Sequence, residues 1–229
     1  MQSCDKRCRQ VDARIPGIDP HRTSAALPLT PLAGGAIMLV QASRFLLRDF
    51  RETDRQAFVA YQMDPRYRRL YDFGDDDGRR AHALFDRFLS WQHQDPRQDF
   101  QVGIFATDTG RLRGCCGLRR SGAPERAAVL GIELTPNDWG RYRLAIDVAS
   151  ALIEYAFFVL DVDSIIGSSA SGNRRVERLA RWFGAKIVAR RDGPEWIAAR
   201  GWIEVDWALH RDEWTGSRRR ARLGLPPRT

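Results

Sequence analysis

The sequence predicts an α/β protein of the α+β kind, a mixed, mostly antiparallel sheet of about seven strands flanked by about four helices. Three observations lead there. Phe100 to Thr107 and Leu112 to Arg119 are runs of strand length joined by Asp108-Thr109-Gly110, a hairpin signal, and Ala127 to Leu134 follows as the next antiparallel neighbour. From Ala127 onward, strand and helix patterns alternate. Between the two regimes stands Glu133-Leu134-Thr135-Pro136-Asn137-Asp138-Trp139-Gly140-Arg141-Tyr142-Arg143-Leu144-Ala145-Ile146-Asp147-Val148: a strand end, a turn punctuated by Pro136, Asn137 and Gly140, and a helix start. A strand that feeds a helix through a short loop aims unpaired amides and the positive dipole end at one point, which suits a phosphate.

Taken in order, residues 1–38 mix Arg, Asp, Pro and Ser without period and read as a disordered extension, with Met38 a candidate true start. The folded domain is expected over 39–214 and a basic flexible tail over 215–229, where Arg218, Arg219, Arg220 and Arg222 cluster. Phe45 to Phe50 is the first good strand. Glu52-Thr53-Asp54 looks like a helix entrance, and Ala57, Phe58, Ala60 and Tyr61 form an apolar stripe on a helix that ends before Pro65. An acidic loop, Tyr71 to Gly78, leads to a second helix from Arg79 to His93, with Leu84, Phe85, Phe88 and Leu89 at helical spacing. After the hairpin and the opening stretch, Leu144 to Val159 is a long helix and Ser164 to Ser169 a strand. Arg174 to Phe183 is a helix closed by Gly184, which takes positive φ without steric cost. Lys186 to Arg190 is a strand, and Ile203, Val205, Trp207 and Leu209 alternate with polar or small residues as a half-buried edge or hairpin partner.

Composition narrows the function classes. At 229 residues and 43% hydrophobic, the chain can bury one ordinary core. The net charge of +8 rests almost wholly on arginine, since only Lys6 and Lys186 are lysines, and no aromatic-plus-basic motif accompanies it. Nucleic acid is therefore an unfavoured partner. Cys115 and Cys116 are adjacent on a predicted strand, so their side chains point to opposite faces, and Cys4 and Cys8 share no metal-ligand spacing with them. No metal site, signal peptide or membrane span is expected, and a cytoplasmic location is the simplest reading.

The order of elements and three motifs resemble the GNAT superfamily of acyl-CoA-dependent N-acetyltransferases, over about residues 40–214. The nearest branch is similar to the bacterial enzymes that acetylate N-termini of ribosomal proteins. The first motif is the opening stretch, which stands where the family has Gln/Arg-x-x-Gly-x-Gly/Ala. Anchored on Gly140, the second small position falls on Tyr142; anchored on Ala145 and Asp147, the two glycine positions fall on Arg141 and Arg143. The second motif, Asn173 to Ala185, fits the family's Asn-led helix ending in Gly-Phe, with Ala185 for Phe and Ala180 at the position of a frequent catalytic Tyr. The third is Trp202 to Trp214, whose Arg211-Asp212-Glu213-Trp214 matches the ribosomal-protein branch.

The resemblance implies a GNAT-like fold and acetyl-CoA as cosubstrate. It implies that acetyl-CoA is held by Leu134, Gly140, Arg141, Tyr142, Arg143, Leu144 and Ala145 at the loop, and by Asn173 at the next helix. Acetyl transfer to an amine needs a placed lone pair and an acceptor for the released proton. The candidate base is Glu133, a carboxylate in an apolar strand; it either serves chemistry or faces solvent or an arginine. Arg141 and Arg143 either bind CoA phosphates or form an exposed basic helix start. Tyr142 or water is left to protonate the departing thiolate. Asp75, Asp76 and Asp77 either form an acidic rim for a cationic acceptor or a solvated loop. The acceptor is a small-molecule amine or a protein N-terminus, and a homodimer is left open. The rival to an enzyme is a CoA-binding or regulatory module with weak or no turnover.

Overall fold

The structure, a computed structural model, describes residues 38–71 and 77–214; residues 1–37 of the expected N-terminal extension, the basic tail, Asp75 and Asp76 lie outside the described residues, while Met38 is buried in the core. In chain order the elements are β1 (Leu39–Gln41), β2 (Phe45–Asp49), α1 (Arg55–Gln62), α2 (Pro65–Tyr71), α3 (Arg79–Trp91), β3 (Asp99–Ala106), β4 (Leu112–Arg119) and β5 (Ala127–Leu134). Then come α4 (Tyr142–Phe158), β6 (Ser164–Ala170), α5 (Arg174–Trp182), β7 (Lys186–Arg191), α6 (Glu195–Ala198) and β8 (Glu204–His210). The strands form one sheet in the order β1-β2-β3-β4-β5-β6-β8-β7. Every described pairing is antiparallel except β5 with β6. The expected mixed, mostly antiparallel sheet is present, with β1 as an eighth strand.

Each face of the sheet has its own core. On one face, Val102, Ile104, Cys116 and Leu118 pack against Val148, Leu152 and Tyr155 of α4. On the other, Phe50, Phe105 and Cys115 pack against Phe58 and Tyr61 of α1, Tyr67 of α2 and Phe85 and Phe88 of α3. The neighbours Cys115 and Cys116 are both buried, one in each core, as strand alternation requires.

Two expectations are sharpened, the helix that ends before Pro65 and the place of the last strand. Pro65 does not merely follow a helix; it opens α2, because a first-turn residue needs no amide donor and the proline ring is already at a helical φ. Of the two alternatives for the last strand, edge or hairpin partner, the second holds: β8 pairs antiparallel with the preceding β7 and lies between it and β6, so β7 takes the edge. The alternation of Val205, Trp207 and Leu209 describes one buried face and is the same for either position in a sheet.

The feature that positions a site is a split. β5 pairs with β6 only through Ala127↔Ser164, Ala128↔Ile165 and Val129↔Ile166, while its later residues up to Leu134 stay paired with β4. β6 in turn stays paired with β8 to Ala170. From Leu130 onward the sheet therefore parts, and the two strands no longer pair with each other. Gly114 holds the β4 side of this region close. Its φ is +148°, and a Cβ there would lie 2.0 Å from the backbone oxygen of Glu133. Gly114→Ala should destabilise the fold by about 1–3 kcal/mol, read as a lower urea midpoint; an unchanged midpoint would mean that β4 can move off β5 at this point without cost.

Candidate active site

Glu133 lies on β5 just past the point of parting, on the face covered by α1 and α2. Its Oε1 accepts hydrogen bonds from the Tyr61 hydroxyl and from Gln62 Nε2, each at 2.6 Å. Oε2 accepts a short hydrogen bond from the Tyr67 hydroxyl. The Cys115 thiol, opposite Glu133 in the ladder, is 3.9 Å from Oε1 and also receives a bond from Gln101 Nε2 at 3.2 Å. So the carboxylate is half-buried and held by a polar cluster set against the aromatic core. Burial pushes its pKa up, and the donors from Tyr61, Tyr67 and Gln62 pull the other way without cancelling the rise. Burial also raises the Tyr61 phenol well above its ordinary value and raises the Cys115 thiol, so both stay protonated at neutral pH.

Gln62 and Tyr67 were not legible as site residues, and Tyr61 was legible only as part of an apolar stripe. A polar residue at the inner face of a helix is the one signal Gln62 offers, and it is 8% exposed.

The loop after β5 is organised by Asp138, which is fully buried. Its carboxylate accepts from Arg113 at 2.8 and 3.0 Å, from Arg111 at 2.9 Å and from Thr135 Oγ1 at 3.0 Å, and Arg141 Nε lies 3.4 Å away. Trp139 Nε1 donates to the Leu134 carbonyl at 2.9 Å, so this indole pins the loop to the strand it leaves. Gly140 takes φ +82°, and α4 begins at Tyr142 with no side-chain cap. The Leu144 and Ala145 amides already bond to the Arg141 carbonyl, at 3.0 and 3.3 Å.

At this helix start is a cavity of about 450 Å³. Of the residues expected at the CoA loop, Gly140, Arg141, Tyr142, Arg143 and Leu144 line it. Arg44, Arg113 and Asp147 complete the wall, and the arginines from β4 and the β1–β2 turn had no sequence signal tying them to the loop. Four guanidinium groups thus meet the positive end of a 17-residue helix, a strongly anion-attracting arrangement. Asp147 partly offsets them, with Arg143 Nε 3.1 Å from its carboxylate. Where the family pattern has small residues, arginine side chains stand in the wall.

The description Acetyltransferase (GNAT) domain matches residues 44–186. The chain belongs to the GNAT acetyltransferase family. An uncharacterized N-acetyltransferase, YoaA of Bacillus subtilis (strain 168), is 24% identical over 142 residues, 62% of this chain and 78% of that protein. Among solved structures, a candidate ribosomal-protein-serine acetyltransferase from Vibrio cholerae superposes with a TM-score of 0.59 at 18% identity, covering 76% of this chain and 97% of its own. A chimera built on the Vibrio cholerae spermidine N-acetyltransferase superposes with a TM-score of 0.62 at 15% identity, covering 76% and 99%. At these identities the two structures speak for the fold alone.

In this GNAT N-acetyltransferase the other expected residues fall as follows. Leu134 ends β5 at the split, half-buried. Asn173 caps α5, its Oδ1 accepting from the Val176 amide at 3.4 Å. The first two turns of α5 reach back over the loop and the start of α4: the Arg175 guanidinium lies 5.2 Å from the centre of the Trp139 ring and that of Arg178 5.0 Å from that of Tyr142. Asp77 is exposed and bonded to Arg79 Nε at 2.9 Å. The Arg211 to Trp214 motif is at the other end of α4. Arg211 Nε bonds the Val162 carbonyl at 2.9 Å, and Trp214 packs on Phe183 with ring centres 5.7 Å apart. That motif fastens the last strand to the core and lies away from the anion cavity. Among the described residues no helix is long and apolar enough to cross a membrane, and no group of three or more His, Cys, Asp or Glu could hold a metal ion.

Proposed function

We propose that the chain transfers an acetyl group from acetyl-CoA to a primary amine, a protein N-terminus or a small-molecule amine, by direct attack while both substrates are bound. One observation supports this most: where β5 parts from β6, an arginine-lined cavity follows the strand and a half-buried, hydrogen-bonded carboxylate sits on it. Acetyl-CoA supplies the activated acetyl thioester. Arg44, Arg141 and Arg143 hold its phosphates, since guanidinium meets phosphate in a two-toothed geometry and the α4 dipole adds to their charge. Gly140, Tyr142, Leu144 and Ala145 shape the helix start under them, and Leu134 and Asn173 would hold the pantetheine arm of acetyl-CoA. Asp75, Asp76 and Asp77 form an acidic approach for a cationic amine.

Glu133 takes the proton that the amine releases. Its raised pKa brings the carboxylate closer to the range in which proton acceptance at neutral pH is efficient. The buried thiols Cys115 and Cys116 suit a reducing cytoplasm. The match of Arg211 to Trp214 to the ribosomal-protein branch favours an N-terminal amine as acceptor; a polyamine is the alternative the panel below must include.

Acetyl-CoA should raise the melting temperature, by an amount equivalent to about 2.7 kcal/mol at a hundredfold excess over Kd. Thiol release on a panel of N-terminal peptides, spermidine and aminoglycosides then identifies the acceptor. Binding without thiol release across the panel would favour the CoA-binding module, and no thermal shift at millimolar acetyl-CoA would remove both readings. Arg143→Ala should weaken acetyl-CoA binding about tenfold, with a shallower salt dependence by titration calorimetry. Equal affinity and equal salt dependence would place the phosphates elsewhere.

A further inference from the structure

The Glu133 carboxylate has two oxygens and about four lone-pair directions. Among the described residues Tyr61 and Gln62 donate to Oε1, the Cys115 thiol makes a longer bond to the same oxygen, and Tyr67 donates to Oε2. Oε1 is filled by two donors from α1, with the Cys115 thiol beside it at 3.9 Å. The remaining direction is on Oε2. We propose that Oε2 of Glu133 is the atom that receives the acceptor's proton, and that Tyr67 is a positioning residue that keeps this oxygen charged and aimed. The inference rests on the reading of Glu133 as the proton acceptor.

In the step, the amine lone pair forms the N–C bond to the acetyl carbon and the C–S bond breaks with its electrons on sulfur. The N–H proton moves to Oε2, directly or through one water, leaving a neutral carboxyl group that later returns it to solvent. Tyr67 reaches Oε2 from α2, a different element from the α1 that supplies both donors to Oε1, and its ring packs edge-on against Tyr61 with centroids 5.7 Å apart. The neighbouring residue Arg66 anchors the same helix to the loop by donating from Nη2 to Asn137 Oδ1 at 2.9 Å. Arg200 Nη2, donating to the Arg69 carbonyl at 2.8 Å, holds its far side. The helix that carries Tyr67 is thus tied to the loop after β5 and to the connection between α6 and β8.

The titratable and charged groups around the carboxylate are Tyr61 from α1, Tyr67 from α2, and Cys115 and Arg119 from β4, with Arg119 Nη2 lying 3.8 Å from where a Gly131 Cβ would be. The phenol of Tyr61 and the thiol of Cys115 do not titrate in the working range, so a limb that differs between native and variant with the same amine reports the carboxylate. Deleting a donor to the charged form raises its pKa, and the base works only when ionised.

Tyr67→Phe should therefore move the acid limb of kcat/KM upward by about one pH unit, a tenfold loss below the limb, with the plateau and the KM for acetyl-CoA retained. Thermal melting of the variant first establishes that it is folded. In the double variant Tyr67→Phe with Glu133→Gln, the loss should equal that of Glu133→Gln alone. A slow Glu133→Gln beside a Tyr67→Phe with an unmoved limb, or additive losses in the double variant, would overturn the role of Tyr67 and leave the base in place. A fully active Glu133→Gln would overturn the base itself.

Discussion

Glu133→Gln is expected to lower kcat/KM by about 10²-fold or more, the usual yield of general-base help, with acetyl-CoA affinity unchanged. The substitution keeps the shape of the side chain but removes both the proton acceptor and the charge that Tyr61, Gln62 and Tyr67 point their donors at. In the native enzyme the rate should fall as pH drops through the Glu133 pKa, which lies above the ordinary carboxylate value. In the variant that acid limb should vanish. The anion cavity is formed by the loop and by α4, not by Glu133, so binding and turnover should separate. A variant that keeps the native rate and limb would show that positioning alone carries the reaction.

Asp138→Ala should cost about 3–5 kcal/mol, the typical result of removing one partner from a buried ion pair. Arg113 has the most to lose, since its side chain is only 13% exposed and would be left without its counter-charge. Arg111 and Arg141 are 48% and 62% exposed and can turn to water, which places the expected loss toward the lower end of that range. For a domain of this size that is about 6–12 °C in melting temperature. Burial alone would raise the Asp138 pKa, but hydrogen bonds from Arg113, Thr135 and Arg111 outweigh it and the net shift is downward. Its contribution is therefore present above the ordinary carboxylate pKa and is lost as pH falls through the lower folded value. The gap between native and variant stability should accordingly close in acid. A melting temperature within about 1 °C of native at neutral pH would mean that the arginines are not held by this carboxylate. Acetyl-CoA binding should weaken as well, because Arg113 and Arg141 stand in the cavity wall.

Local features of the chain carried most of the fold. Strand lengths, the Asp108-Thr109-Gly110 hairpin and the helical spacing of Leu144 to Val159 are set by backbone chemistry and by side-chain period, both of which act between near neighbours. Helix α2 escaped because Pro65 is compatible with both the end of one helix and the start of the next, and only packing of Tyr67 into the aromatic core selects the second. The position of β8 escaped for the same kind of reason: which strand it lies beside is a long-range pairing that its own alternation does not encode.

The sequence by itself determined the strand–loop–helix that forms the anion cavity, and it singled out Glu133, because each lies within one continuous stretch of chain. What surrounds them was decided by the tertiary structure alone. Tyr61, Gln62 and Tyr67 reach Glu133 from 66 to 72 positions away, and Arg113 reaches Asp138 from 25. A hydrogen bond of that kind depends on where two helices land on a sheet. The many core contacts that set this landing are individually weak, and no local pattern records them.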